Sequence, residues 1–85
     1  HHRMEQMNKT YRYEIFRVNG DYEKLVLPHP MTLEQMQELV GGDIELIAIE
    51  GDKDFLIVNE EGINLRLERN PYRGLRGTVV KGYVD

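Results

Sequence analysis

The 85-residue sequence has no cysteine, no tryptophan and no serine. Without cysteine there are no disulfides, no thiolate metal ligands and no thiol nucleophiles. Without serine, the only hydroxyl side chains besides the tyrosines are Thr10, Thr32 and Thr78. No Gly-x-Ser-x-Gly motif is present, and nucleophilic catalysis has almost no suitable groups. We therefore predict that the protein is not an enzyme and has no catalytic residues.

Long apolar runs are also missing. The longest covers residues 55–58, whereas a membrane-spanning helix needs about 20 apolar residues. No charged segment followed by an apolar one opens the sequence as a secretion signal would. We expect a soluble, cytoplasmic protein that does not contact membranes, and the missing cysteine fits a reducing compartment.

The length allows one small domain. Residues 1–3, ahead of Met4, look like the remnant of an expression tag, and we expect residues 4–10 to be a disordered leader, with Met7 as an alternative start. Residues 11–85 form the predicted domain. Their charged and apolar residues, 31% and 40% of the whole chain, are in the balance of a globular protein.

The helix is the best-specified element. Thr32 is a good N-cap, and Gln35 stands three residues later, which completes a capping box. Gly41 occupies the position where a left-handed residue ends a helix, and Gly42 lets the chain reverse. We predict a helix over residues 33–40. Its expected apolar stripe consists of Leu33, Met36, Leu39 and Val40, with Met31 and Met36 at the spacing of a hydrophobic staple.

Strand patterns occupy most of the remaining chain. Residues 11–18 and 22–27 are rich in aromatic and β-branched residues and flank Asn19-Gly20, which predicts a hairpin. Residues 44–49 are expected to be covered on both faces, and residues 55–58 are fully apolar. Residues 63–67 alternate apolar and polar side chains, which predicts a half-buried strand, and residues 78–81 predict the last one. The turn before residue 63 is expected to place Gly62 at positive φ.

These elements predict an α+β fold. It is a single small domain with a mostly antiparallel sheet of five to six strands and one short covering helix, in the order ββαββββ.

The charges are distributed unevenly along the chain. Residues 43–61 contain seven acids and one lysine, whereas residues 66–81 contain five bases and one acid. Opposite charges on adjacent strands favour pairing across the sheet. A basic loop with an interleaved aromatic can alternatively hold phosphates and stack a base. The candidate partner or phosphate contacts are Arg69, Tyr72, Arg73 and Arg76, and we favour the pairing interpretation because the chain is acidic overall.

Metal and cofactor sites are not predicted. His29 is the one histidine outside the tag remnant, and its flanking prolines favour an exposed turn. The acids Asp52, Asp54, Glu60 and Glu61 lack the spacing of a calcium loop. The glycine pair after the predicted helix stands on the wrong side of the helix for a phosphate cradle.

Residues 32–82 resemble the domain of unknown function 3846 family of small phage and mobile-element proteins. The resemblance rests on Leu33, residues 38–42, Ile44-Glu45, residues 58–62 with Asn59 and Gly62, Asn70 and Gly77. It implies a phage or prophage origin and a bacterial cytoplasm, and it implies no reaction. The Arg-rich segment from Arg66 to Arg76 is not typical of the family.

The expected function is that of an accessory protein acting as a protein-interaction module. Its partner is another protein or a second copy of the chain in a homodimer, because a small sheet leaves strands at an edge. A nucleic-acid-binding module using the loop from Arg69 to Arg76 is the alternative.

Overall fold

The computed structural model describes residues 9–49, 51 and 53–83. The tag prediction for residues 1–3, and the leader prediction for residues 4–10 up to residue 8, concern residues outside this range. Residues 9 and 10 are described and belong to no helix or strand. The elements are strands β1 (Tyr11–Phe16) and β2 (Tyr22–Leu27), helix α1 (Leu33–Val40), and strands β3 (Ile44–Ala48), β4 (Phe55–Asn59) and β5 (Val79–Gly82).

The protein is a small α+β domain with a five-stranded antiparallel sheet and one short helix, in the order ββαβββ. The strands lie in the order β2-β1-β5-β4-β3, so β5 is central and β2 and β3 form the edges. The predicted fold class is confirmed. Among the described residues no helix is long and apolar enough to cross a membrane.

The helix begins and ends where the sequence predicts. The Gln35 amide donates to the Thr32 hydroxyl over 3.1 Å, and the Thr32 amide donates to the Gln35 side chain over 2.9 Å. Gly41 has a φ of 79° and its amide donates to the Gln37 carbonyl. The capping box and the left-handed C-cap are therefore confirmed. The predicted apolar stripe is wrong at Leu33, which is 57% exposed.

Helix α1 covers one face of the sheet. The core on this face contains residues of the sheet and of the helix. Within it, the Tyr13 hydroxyl accepts a buried hydrogen bond from the Met31 amide over 2.9 Å. This bond fixes the chain just before the helix. The buried members of this core are Tyr13, Ile15, Met31, Val40, Ile57 and Val80.

The opposite face is covered by residues 60–78, which we call the covering segment. Leu56, Val58 and Val79 are buried on this face, and Tyr72 and Leu75 of the covering segment pack against them. Strand β4 is therefore covered on both sides, which explains its uninterrupted apolar sequence.

The predicted strand at residues 63–67 is wrong, because residues 63–66 form a turn and Leu67 belongs to no strand. Ile63 and Leu65 are 77% and 58% exposed, so the alternation does not mark a buried face. The Leu67 amide donates to the Gly62 carbonyl and the Arg66 amide to the Ile63 carbonyl, with Arg66 at a φ of 55°. This is the hydrogen-bond pattern of a Schellman motif, which ends a helical turn.

Two further predictions are corrected. Gly62 is not among the residues with positive φ. It lies instead at a close approach, where an added Cβ would be 2.9 Å from the Arg76 Cβ. Strand β3 is not covered on both faces, because it is an edge strand and Leu46 is 61% exposed.

We predict that Thr32→Ala lowers the free energy of unfolding by about 1 kcal/mol, because the Gln35 amide loses its side-chain acceptor. Denaturant titration measures the effect as a lower midpoint at unchanged slope. Thr10→Ala, at an exposed threonine outside the helix, is the matched control and should leave the midpoint in place. Equal midpoints for the two variants would contradict the role of the cap.

Candidate functional site

Two buried asparagines hold the covering segment on the sheet. Asn59, at the end of β4, donates to the Val40 carbonyl over 3.1 Å, and its side-chain oxygen accepts from the Glu61 amide over 2.7 Å. It thereby satisfies a carbonyl at the end of α1 and caps the turn that opens the covering segment. An added Cβ on Gly42 would lie 3.0 Å from the Asn59 side-chain nitrogen, so the second glycine leaves room for this side chain.

Asn70 anchors the other half of the covering segment. It is 1% exposed, and its nitrogen donates to the Phe16 carbonyl over 2.7 Å and to the Gly77 carbonyl over 2.9 Å. Its oxygen accepts from the Tyr72 amide over 2.9 Å. One amide therefore ties the covering segment to the end of β1, 54 residues away in sequence.

A groove lies between this covering segment and edge strand β3. Its volume is about 570 Å³. Four apolar side chains line it, together with two acids and two bases, and both bases belong to the covering segment. The apolar residues are Ile47, Val58, Ile63 and Leu75, the acids are Glu45 and Glu60, and the bases are Arg69 and Arg76.

The structure divides the predicted contact residues. Arg69 and Arg76 both line the groove, whereas Tyr72 and Arg73 do not. The Tyr72 ring stacks on Phe16 with 3.9 Å between centroids and 8° between planes. The Arg73 guanidinium lies 5.5 Å from the Tyr72 ring centroid, and its Nε donates to the Tyr72 hydroxyl over 3.2 Å. Tyr72 thus packs against the core, and Phe16 occupies one face of its ring.

The predicted pairing of acidic and basic segments occurs at one place in the described residues. Lys81 lies 3.9 Å from Asp54, with both side chains mostly buried. The four arginines of the covering segment, Arg66, Arg69, Arg73 and Arg76, form no ion pair within the described residues. The pairing prediction is therefore wrong for these arginines, while Asp52 lies outside the described residues.

The remaining candidates form no ligand cluster in the described part of the chain. His29 is exposed, and one ring nitrogen lies 2.8 Å from the Pro30 carbonyl oxygen. No three histidines, aspartates or glutamates among the described residues come together in a way that could hold a metal ion.

A polar cluster that the sequence does not indicate lies on the same face of the sheet as the groove, toward the β2 edge. The Tyr22 and Tyr83 hydroxyls both donate to the Glu14 carboxylate. The Lys81 ammonium lies 5.0 Å from the Tyr83 ring centroid, and the Arg12 guanidinium lies 5.2 Å from it. We call Glu14, Tyr22 and Tyr83 the tyrosine cluster. Tyr22 and Tyr83 lie 8 and 69 residues from Glu14 in the sequence, so local sequence patterns do not reveal the cluster.

The tyrosine cluster shifts the ionisation of its members. Partial burial alone would raise the Glu14 pKa, but the two tyrosine hydroxyls and the nearby Lys81 and Lys24 outweigh it and hold the pKa below its ordinary value. The hydrogen bond to Glu14, followed by desolvation and charge repulsion, raises the pKa of Tyr22 and of Tyr83 to about 12. The donors and the acceptor of this cluster thus satisfy one another.

Taken with the fold, the groove defines a small α+β domain with a mixed apolar and charged depression beside an open strand edge. Residues 13–83 match the family model described as Domain of unknown function (DUF3846), and the chain belongs to this family. Comparison with curated proteins and with solved structures finds no match to the chain.

We predict that Asn70→Ala destabilises the protein by about 3 kcal/mol, because two backbone carbonyls lose a buried donor and the Tyr72 amide loses its acceptor. Thermal or denaturant unfolding measures the loss. Asn64→Ala is the matched control, since Asn64 is exposed and makes only a 3.5 Å bond to Glu61. A loss below about 1 kcal/mol for Asn70→Ala would contradict the anchoring role.

We also predict a delayed alkaline titration. Of the five tyrosines, Tyr22 and Tyr83 should ionise near pH 12 when tyrosinate absorbance is followed against pH. Because their folded pKa is raised, their stabilising contribution is complete below about pH 10 and is lost as the pH rises through about 12. In Glu14→Gln the late step should move toward pH 10, and an unchanged titration of this variant would contradict the cluster.

The same cluster acts in the opposite sense in acid. The pKa of Glu14 is lower in the folded than in the unfolded chain. Its contribution to the free energy of unfolding is therefore complete above the unfolded pKa, and it is lost as the pH falls through the folded pKa.

Proposed function

We propose that the protein is a non-enzymatic accessory protein of a phage or mobile element that acts in the bacterial cytoplasm as a protein-interaction module. The observation that carries this proposal is the open edge of β3 beside the groove. A partner segment in extended conformation can pair with the backbone of β3, and alternate side chains can then enter the groove.

The composition of the groove supports a protein partner. Four apolar side chains give it a surface that can bury apolar groups, and charges of both signs border them. Such a mosaic is typical of protein interfaces, in which an apolar centre is surrounded by a polar rim. The exposed Leu46 lies on the same strand and points to the opposite face of the sheet, so an added strand would find apolar contacts on both faces.

Strand β3 is a better docking edge than β2. The outer residues of β2 include Glu23, whose carboxylate pairs with Arg17 at 3.2 Å, and Lys24, and charged residues discourage strand addition. The exposed side chains of β3 are Leu46, Ala48 and the single charged residue Glu45.

Nucleic-acid binding is the alternative. The arginines, which form no ion pair among the described residues, favour it, but the stacking on Phe16 already occupies one face of the Tyr72 ring. The acids Glu45 and Glu60 line the same groove and would repel a chain of phosphates.

We predict that Leu46→Lys abolishes binding of the protein partner, because a charge on an edge strand blocks strand addition. The partner is first captured from the native host by the tagged protein, identified, purified and titrated by calorimetry. Val26→Lys is the matched control, since Val26 is 58% exposed on the other edge strand. Its affinity should equal that of the native chain.

A loss of binding in Val26→Lys but not in Leu46→Lys would contradict docking at β3. An electrophoretic shift of mixed single- and double-stranded oligonucleotides at low salt tests the alternative, and we expect no shift at tens of micromolar protein.

A further inference from the structure

Arg69 and Arg76 stand directly opposite each other within the covering segment. Their backbones form an isolated antiparallel bridge. One backbone hydrogen bond on each side of the bridge joins the neighbouring residues, and the two bonds are 2.6 and 2.8 Å long. The bridged residues themselves exchange no hydrogen bond. In such a non-hydrogen-bonded pair the Cα atoms are about 4.5 Å apart and the side chains leave from the same face.

Two guanidinium groups in this position repel each other. Like charges directly opposite on paired strands destabilise the pairing. No carboxylate of the described residues forms an ion pair with either of them, and the Arg76 guanidinium has only a 3.4 Å bond to the Leu67 carbonyl. Both side chains line the groove beside β3. The repulsion between the two guanidinium groups therefore destabilises the pairing of these residues, and an anion bound in the groove would reduce that repulsion.

We propose that Arg69 and Arg76 bind the carboxylate of an acidic residue in an extended protein segment docked along β3. This inference rests on the proposed function and specifies the chemistry of its partner. Planar guanidinium groups offer parallel N–H donors that match the two oxygens of a carboxylate, so two of them can hold one such group from one side.

A single carboxylate fits the groove better than a nucleic-acid backbone does. Glu45 of β3 and Glu60 at the start of the covering segment line the same groove, so its positive potential is confined to the part that Arg69 and Arg76 form. A single negative charge can pair with Arg69 and Arg76, while apolar side chains beside it contact the apolar lining of the groove. A run of phosphates would have to pass the two acids, and the chain as a whole carries a net charge of −4.

The test is a titration of ¹⁵N-labelled protein with the peptide acetyl-Thr-Val-Glu-Val-Thr-amide and with its glutamine counterpart, at millimolar concentration. We expect shifts of the β3 backbone amides and of the Arg69 and Arg76 Nε signals. The glutamate peptide should bind about tenfold tighter than the glutamine peptide, as expected for a charge-assisted pair.

Three variants make the test specific. In Arg69→Gln, at an exposed position, the preference for glutamate should disappear, while Arg66→Gln should retain it because Arg66 lies outside the groove. Arg76→Lys keeps the charge but loses the planar fork, and its preference should fall to an intermediate value. The amide spectrum of each free variant verifies that it is folded.

The outcomes separate this inference from the proposed function. Equal binding of both peptides at β3 would overturn the carboxylate site and leave docking at β3 intact. If neither peptide shifts the β3 amides, both proposals fail. If an oligo-deoxythymidine shifts the Arg69 and Arg76 Nε signals and the glutamate peptide does not, the site is a phosphate site and the inference is wrong.

Discussion

The arrangement of the second face depends on hydrogen bonds from two buried amide side chains. The covering segment contains no helix and no named strand, so it lacks a continuous backbone ladder to hold it on the sheet. Asn59 and Asn70 replace that ladder with bonds to carbonyls of α1 and β1 and to amides of the segment itself. A buried amide whose donors and acceptor are all satisfied specifies one position, because any shift leaves a polar group unpaired. The groove and its arginines are placed by this constraint.

Local signals predicted the parts of the fold that are locally determined. The capping box at Thr32, the left-handed Gly41 and the Asn19-Gly20 turn each depend on a few neighbouring residues, and all three are observed. Gly20 has a φ of 93° in the turn between β1 and β2.

The errors arise where tertiary contacts decide the outcome. Residues 63–67 alternate like a strand, yet the sheet already has five strands and these residues close a turn above it. A signal for this turn was present in Asn59-Glu60-Glu61, an N-cap residue followed by two acids, which is typical of the start of a helical turn. The exposure of β3 and the bridge between Arg69 and Arg76 could not be predicted, because strand order is not encoded in any one segment.

The family resemblance gains a physical meaning from the structure. Gly42, Asn59 and Gly62 come from separate parts of the motif and meet at one point, where Asn59 joins the end of α1 to the start of the covering segment. Asn70 has the same role at the other end. These residues, on which the resemblance rests, therefore build the scaffold that places the groove.

The position of β5 has a consequence for how the chain folds. It is the last of the five strands in sequence and the central one in the sheet, between β1 and β4. Before β5 leaves the ribosome, the β1–β2 and β3–β4 hairpins have no strand between them, and their facing edges are unpaired. Contacts between β1 and β5 join residues far apart in sequence, such as Tyr13 and Gly82, and such non-local contacts slow folding. During synthesis the chain therefore passes through a stage in which two hairpins have unpaired inner edges, because the four-residue strand β5 that joins them is not yet available. Exposed edges of this kind promote aggregation of nascent chains.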